Sequence, residues 1–415
     1  MESRVGKGTL CPQSERAATG ACAQSTSTIR CYNIADRAAG EDMTDIPASI
    51  GASIEQIDTP ALVLDLDAFE HNLARMADFA RTAGVRLRPH AKTHKCPTIA
   101  LLQIAAGAVG QCCQKVGEAE ALVRGGVRDV LVSNEIVDPQ KLRRLAALAK
   151  DATITLCFDA AEAVDAASRA ACEAGVELGG LVEIEVGMQR CGIGAGQAAA
   201  GLARRIADAP GLRFRGLQAY HGAAQHLPAL AERERAIAGA ADAVRATLAA
   251  LEKAGLACEF VSGAGTGTYR IEGASGVWNE LQAGSYLFMD TDYARIGDNA
   301  GGRYRDFAHS LFVLATVMSV PAPDRVIVDA GLKSYSAEKG PPWVHGRDDI
   351  QVTGVSDEHG RLQLGPNAER LRIGDKVMLI PGHCDPTINL HDWYVGVRRG
   401  RVEALWPITA RGASR

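Results

Sequence analysis

The 415-residue chain has no block of like charge: 45 Lys and Arg stand against 49 Asp and Glu, a formal net charge of −4. Without a basic excess there is nothing to neutralise a phosphate backbone, so nucleic acid is not an expected partner. The chain also lacks any apolar run near the roughly 18 residues a membrane helix needs, and its start is not a basic segment leading into an apolar one. A soluble, unsecreted, cytoplasmic protein is expected. Its eleven cysteines are scattered, and the neighbours Cys112 and Cys113 suit no simple disulfide framework, so they read as reduced thiols. What the chain does have is apolar material, 47% hydrophobic against 23% charged residues, enough for a large buried core.

Residues 1–45 mix Ser, Thr, Gly, Ala and three cysteines without periodicity and read as a disordered extension. From Val85 onward, β-rich runs alternate with Ala- and Leu-rich amphipathic segments: VRLRPHA, AVGQCCQ, DVLVSN, TITLCFD, LGGLVEIEV, FRGLQAYHG, EFVSGAG and NELQAGSYLF. Eight such units predict an α/β fold, a (β/α)8 TIM-type barrel over 67–294, because strands covered by helices read as continuous apolar runs. An open doubly wound sheet is the main rival. After about Asp290 the texture turns to strands and turns without long helices, which predicts a β-rich domain over 295–415. The strand ALVLDL is expected to pair into that sheet, so the domain takes in 46–66 as well.

In such a barrel the reacting groups lie at the C-terminal strand ends. Reading them off gives Arg88 to Lys95 with Lys92 among them, Gln114 and Lys115, Ser133 and Asn134, Asp159, Glu183 and Glu185 leading to Arg190, Tyr220 and His221, the loop Ser262 to Thr268, and Gly284 to Tyr286. The glycine-rich loop can turn backbone N–H groups on an anion, and it follows strand seven, where barrels bind phosphate. It has neither the Gly-Lys-Ser/Thr ending of a P-loop nor the dinucleotide spacing. A tight turn is the plain alternative. Lys92, hemmed by apolar strands, can lose its proton and attack a carbonyl carbon; the plain alternative is an exposed basic cluster. Together the two suit a phosphate-bearing aldehyde, of which pyridoxal phosphate is the commonest.

Thr59-Pro60-Ala61, Arg88 to Lys92, Cys112 to Lys115, Arg190-Cys191-Gly192, Gln218 to Gly222, Ser262 to Gly267 and His383 to Thr387, in that order, resemble the D-threonine aldolase family of alanine-racemase-like, fold-type III pyridoxal enzymes. The stretches at Tyr293 to Asp298, His345 to Asp349 and His391 to Arg398 resemble the 3-hydroxy-D-aspartate aldolases within it. The resemblance spans about residues 55–415. It implies that Lys92 holds the cofactor and shuttles a proton at Cα, and that Arg190 faces the pyridine nitrogen. Gln114, Tyr220, Ser262, Gly263, Gly265, Thr266, Gly267 and Tyr286 would line the cofactor. It places a divalent metal, Mn²⁺ or Mg²⁺, on His383 and Asp385, read as two positions of an extended segment with Cys384 pointing away. His226 would accept the β-hydroxyl proton as the Cα–Cβ bond breaks in a retro-aldol reaction. Arg295 and Arg347 would hold a second carboxylate. The plain alternatives are an ion pair with Glu183 or Glu185 for Arg190, a surface histidine for His226, and pairing with nearby aspartates for Arg295 and Arg347. Ala264 stands where relatives carry Gly, which is tolerable only if its φ is negative.

The implied function is cleavage of D-3-hydroxy-amino acids by a homodimer: 3-hydroxy-D-aspartate to glycine and glyoxylate, and D-threonine to glycine and acetaldehyde. The alternatives are a dehydratase of D-serine or 3-hydroxy-D-aspartate, whose relatives carry His-x-Cys at the metal pair, and a non-catalytic pyridoxal-phosphate-binding protein, which would lack the C-terminal segment. A racemase of this fold would need a second base from the partner's β-domain, for which no match is evident.

Overall fold

The computed structural model describes residues 46–298 and 302–415, so the expected extension over 1–45 lies outside the described residues. Strand β1 (Ala61–Asp65) leads directly into helix α1 (Leu66–Ala83). The Asp65 side chain caps the helix by accepting from the Ala68 N–H at 3.0 Å, and Gly84 ends it in the left-handed conformation, φ +67°. Leu66, Phe69, Asn72, Met76 and Ala80 form its buried face at helical spacing. Asn72 is the polar member, and it is satisfied: Nδ2 donates to the carbonyls of Leu287 and Ala308, and Oδ1 accepts from the Ala308 N–H. The helix is thereby tied to the segment that joins the two halves of the molecule.

Eight parallel strands follow: β2 (Arg86–Leu87), β3 (Gln111–Cys113), β4 (Asp129–Glu135), β5 (Thr153–Phe158), β6 (Leu178–Glu183), β7 (Leu212–Ala219), β8 (Phe260–Gly263) and β9 (Glu280–Leu281). They pair in the order β2-β9-β8-β7-β6-β5-β4-β3, and a parallel bridge between His90 and Cys112 brings β3 round to the first strand. The crossovers carry α2 (Pro97–Ala105), α3 (Val116–Arg124), α4 (Pro139–Leu148), α5 (Ala161–Ala174), α6 (Gln197–Asp208), α7 (Leu230–Lys253) and α8 (Tyr269–Ala274). All eight runs expected to be strands are strands of one curled sheet, and the open doubly wound alternative falls. The interior is filled by one layer of Cys112, Leu131, Cys157, Leu181 and Phe260. Below it, Arg88 pairs with Glu280 at 3.0 Å and Asp129 at 2.7 Å, and the guanidiniums of Arg86 and Arg215 lie 4.0 and 4.3 Å from the Phe260 ring. The floor is closed, so a ligand enters only from the opposite end.

The remaining strands are β10 (Leu311–Ala322), β11 (Arg325–Val328), β12 (Trp343–Val344), β13 (Ile350–Val355), β14 (Gly360–Leu364), β15 (Lys376–Ile380), β16 (Trp393–Arg398) and β17 (Arg401–Pro407), with the short helix α9 (Cys384–Ile388) between β15 and β16. Strand β1 is a central member of this sheet, antiparallel to β10 and parallel to β16, so the β-domain draws on both ends of the described chain. An aromatic column joins the domains, with Phe69 5.8 Å from Trp406 and Phe288 5.7 Å from Tyr394. The Tyr394 hydroxyl donates to the His94 carbonyl at 2.8 Å, beside the first barrel strand end. Among the described residues no helix is long and apolar enough to cross a membrane, and the eight described cysteines are free.

Candidate active site

A cavity of about 450 Å³ opens at the C-terminal strand ends, and Lys92 is in its wall. The turn after β2 carries it there, because the Ala91 N–H donates to the Cys112 carbonyl and anchors the strand end. Lys92 Nζ lies 2.8 Å from Asp385 Oδ2, a residue supplied by the β-domain 293 positions later. Each group sets the other: the carboxylate holds the ammonium above the usual lysine range, and the ammonium, with His383 nearby, holds Asp385 below the usual carboxylate range despite its burial. His90 stands behind Lys92, kept neutral by burial and the adjacent ammonium, with Nε2 3.0 Å from Gln114 Nε2 and 3.3 Å from Ser133 Oγ.

The glycine loop forms a second wall. A Cβ at Gly263 would lie 2.2 Å from the Ala219 carbonyl oxygen, and one at Gly267 would lie 2.2 Å from that of Gln225, so only glycine lets the loop close on its neighbours. Gly265 and Thr266 line the cavity. Ser262, Gly263, Gly267 and Tyr286 do not. Ser262 Oγ donates to Glu280 at 2.7 Å, the Gly267 N–H donates to Gln225 Oε1 at 3.0 Å, and the Tyr286 hydroxyl accepts from Gln103 at 3.0 Å. These four brace the wall from behind. Ala264 has φ +67°, against the expectation that alanine here requires a negative φ. Ala264 is buried in this conformation. Thr266 Oγ1 is buried without a hydrogen-bond partner beside this turn. An anionic oxygen would satisfy it, so the wall fits the phosphate end of pyridoxal phosphate, with Lys92 in the same cavity for the aldehyde.

Arg190 lines the cavity opposite. Its Nη2 lies 3.6 Å from Glu183 Oε1 and its guanidinium 5.9 Å from the Tyr220 ring centroid, so the ion pair weighed from sequence and the cavity position hold together. Burial and the neighbouring Glu135 push the Glu183 carboxyl well above its ordinary value. His226 ends a 3₁₀ turn (Gly222–His226) and lines the cavity while its side chain stays exposed to solvent; its Nδ1 lies 3.0 Å from Asp292 Oδ2. Gln225, next to it, donates to Thr268 Oγ1 at 2.7 Å while accepting from Gly267. Gln225, the residue before His226, thereby ties this turn to the glycine loop.

The His383–Asp385 segment is not extended. His383 is the N-cap of α9 and Asp385 lies in its first turn, because the Cys384 N–H is fixed by Asp290 Oδ2 at 2.9 Å and the Thr387 hydroxyl returns to the His383 carbonyl at 2.7 Å. Cys384 is buried. His383 Nδ1 meets Glu338 Oε1 at 2.5 Å, which leaves Nε2 for a ligand. One imidazole and one carboxylate held anionic are a donor set that fits a divalent cation, with Lys92 the competing cation at Asp385. Arg347 is not brought to the cavity: its fork is taken by Asp349 at 2.8 and 3.1 Å and by the Glu369 carbonyl. Arg295 does not line the cavity either, but follows Tyr293, which does. Among cavity residues, His90 and Ser133 were visible as strand-end residues but had no partner to mark them. Gln218 and Tyr293 stood in stretches that carry the resemblance but were given no role, and Gln282 had no signal beyond its strand.

A larger cavity, about 720 Å³, lies outside the barrel between α7 and α8; its Arg270 and Asp306 pair at 2.6 Å, and it holds no lysine or cysteine. The reactive groups converge on the smaller one.

Comparison with known proteins agrees with this arrangement. The family model for the N-terminal domain of alanine racemase matches residues 64–292, and a serine dehydratase domain model matches residues 310–397. The 3-hydroxy-D-aspartate aldolase of Paracoccus denitrificans (strain Pd 1222) is 49% identical over 372 residues, 89% of this chain and 96% of that protein. The crystal structure of D-threonine aldolase from Filomicrobium marinum superposes with a TM-score of 0.87 at 47% identity, covering 89% of this chain and all of that one. The D-threo-3-hydroxyaspartate dehydratase of Delftia sp. (strain HT23) is more distant, 33% identical over 365 residues, 80% of this chain and 92% of that protein. By fold, by cavity and by these likenesses, the chain belongs to the alanine-racemase-like family, within the group of D-threonine and 3-hydroxy-D-aspartate aldolases.

Proposed function

We propose that the protein is a pyridoxal-phosphate- and divalent-metal-dependent aldolase that cleaves D-3-hydroxy-amino acids. The favoured substrate is 3-hydroxy-D-aspartate, giving glycine and glyoxylate, and D-threonine would give glycine and acetaldehyde. The observation that carries the reading is the contact between Lys92 and Asp385 at 2.8 Å, which joins the barrel lysine to the carboxylate of the His-x-Asp pair in one cavity. The aldolase relatives at nearly half identity support it over the dehydratase reading.

Pyridoxal phosphate would supply the electron sink that lets the Cα–Cβ bond break heterolytically, and a divalent cation on His383 and Asp385 would make the β-hydroxyl more acidic. The protein's own groups do the rest. Thr266 and the Gly265 turn hold the phosphate end, and Arg190, fixed by Glu183, supports the ring end. Lys92 gives and takes the proton at Cα, with the neutral His90 behind it removing a competing charge. His226, oriented by Asp292, takes the β-hydroxyl proton. The closed barrel floor keeps water from reaching the cavity from below.

The test is product analysis with purified protein, pyridoxal phosphate and 3-hydroxy-D-aspartate, with Mn²⁺ or with a chelator. Glycine plus glyoxylate, lost on chelation, is the expected result. Oxaloacetate plus ammonia would make the protein a dehydratase, and absence of any turnover would leave a binding protein.

A further inference from the structure

Cys191 stands between Arg190 and Gly192, and the cofactor reading gives it no role. Its loop folds back on the end of β6: the Glu185 N–H donates to the Ile193 carbonyl at 3.0 Å, and the Ile193 N–H donates to the Glu183 carbonyl at 2.9 Å. Gly192 permits the return, with φ +112° and no room for a Cβ, which would lie 2.6 Å from the Glu185 nitrogen. The fold-back brings Cys191 to three neighbouring strand ends: Glu135 ends β4, Glu183 ends β6, and Asp159 follows β5 between them. One ligand atom from each of Glu135, Asp159 and Cys191 lies within 4.8 Å of the other two. The loop itself holds Asp159, whose Oδ2 accepts from the Gly192 N–H at 3.2 Å.

Glu183 is the independent sign of a ligand. It is 4% exposed, its Oε1 lies 3.6 Å from Arg190 Nη2, and its Oε2 has no hydrogen-bond partner among the described residues. Oε1 of Glu135 is buried and unpartnered in the same way. Glu135 is within hydrogen-bonding reach of Glu183 and is its strongest like-charge neighbour, and Asp159 adds to the effect. Neighbouring carboxylates with buried oxygens that nothing satisfies need a proton or a cation between them. A proton serves one pair of oxygens and leaves Asp159 and the thiol unused, whereas a cation uses all four groups.

Donor softness selects the ion. A thiolate with carboxylate oxygens suits Zn²⁺, while the imidazole and carboxylate of His383 and Asp385 include no sulfur and suit a harder cation. We propose that Glu135, Asp159, Cys191 and Glu183 form a second metal site, for a zinc-class divalent cation, behind Arg190. None of the four lines the cavity, so the ion is structural and apart from the reacting groups. Glu183 shares its carboxylate between the ion and the guanidinium and thereby fixes Arg190. On binding, the Cys191 thiol gives its proton to solvent, and the proton that Glu183 otherwise carries leaves as well.

The test counts zinc and needs no turnover. The cofactor-loaded protein is dialysed against a chelator buffer that holds free Zn²⁺ at roughly nanomolar, where structural sites fill, and bound zinc is measured per chain. The native protein should hold one zinc more than Cys191→Ala or Asp159→Asn. His383→Ala, which removes the other predicted metal pair, should retain that zinc, and an about tenfold excess of Mn²⁺ should not displace it. Zinc should raise the Tm of the native protein and of His383→Ala, and leave that of the two site variants unchanged. Cys191→Ser, close to the thiol in shape, guards against misfolding: it should keep the cofactor absorbance and bind zinc at least about tenfold more weakly, as expected when an oxygen replaces the thiolate. Equal zinc in native protein and site variants, loss of the zinc in His383→Ala, displacement by Mn²⁺, or no zinc held at all would overturn the inference, the last leaving only a proton shared between Glu135 and Glu183. The site does not depend on the aldolase reading, which fails separately if neither hydroxy acid is cleaved.

Discussion

Glu272 offers the sharpest test of how the glycine loop is held. It is fully buried on α8, where Thr268 Oγ1 donates to its Oε2 at 2.5 Å and its Oε1 has no partner. Burial pushes its carboxyl from an ordinary 4.5 up to about 8. Between those values the folded protein carries a proton that the unfolded chain has released, so stability falls as pH rises through the window and is level below and above it. The slope is about 1.4 kcal/mol per pH unit. Allowing for relaxation of the buried site, the whole window is of order 3 kcal/mol. Glu272→Gln keeps the acceptor for Thr268 and cannot ionise. It should match the parent near pH 5 and be more stable by about 3 kcal/mol at pH 8.5, which at roughly 2 cal/mol/K per residue of unfolding entropy is roughly 4 °C in Tm for a chain of this length. Tm of the cofactor-loaded protein, measured for parent and variant from pH 5 to 9, checks this, and the difference between the two curves removes the contribution of other titrating groups. Parallel curves, or a variant less stable at every pH, would refute the reasoning.

Other outcomes follow from the same geometry. Ala264→Gly removes a left-handed alanine costing about 1–2 kcal/mol and loses a buried methyl worth about 0.8 kcal/mol, so Tm should stay level or rise slightly and cofactor affinity should hold; a fall of several degrees would show that the packing of the methyl outweighs the backbone strain. In the parent, cofactor affinity should rise with pH as the Glu183 carboxyl, which burial and Glu135 hold protonated above its ordinary value, ionises and grips Arg190. Glu183→Gln should lack that rise, and identical pH profiles by equilibrium titration would count against it. His226→Ala should lower kcat by about 10²–10⁴ with KM within a few fold, and Asp292→Asn should lower it less, as expected of a base and its orienting partner. Steady-state kinetics on either hydroxy acid separates these from a binding defect.

The eight barrel strands were legible because their period and apolar content report a local fact, burial on two faces, that each segment carries by itself. The same holds for Lys92, Gln114, Arg190, Tyr220 and Thr266, which stand at strand ends and so point into one mouth in any barrel of this kind. Whether a residue of the loop faces the ligand or the neighbouring turn depends on a rotation that composition does not record. Ser262, Gly263, Gly267 and Tyr286 turned out to brace the wall, and Ala264 took a positive φ between glycines whose backbones approach Ala219 and Gln225 closely.

The sequence by itself determined the number and type of elements, the strand-end inventory and the family. Only the tertiary structure decided that Asp385 meets Lys92, since a contact across 293 residues follows from docking the β-domain on the barrel and not from any local pattern. It also decided that His383 and Asp385 sit on a helix turn fixed by Asp290, that Arg347 is spent on Asp349, and that Arg295 lies over Trp343 and not in the cavity wall. Charge partners are chosen by proximity in space, and a sequence lists the candidates without their distances.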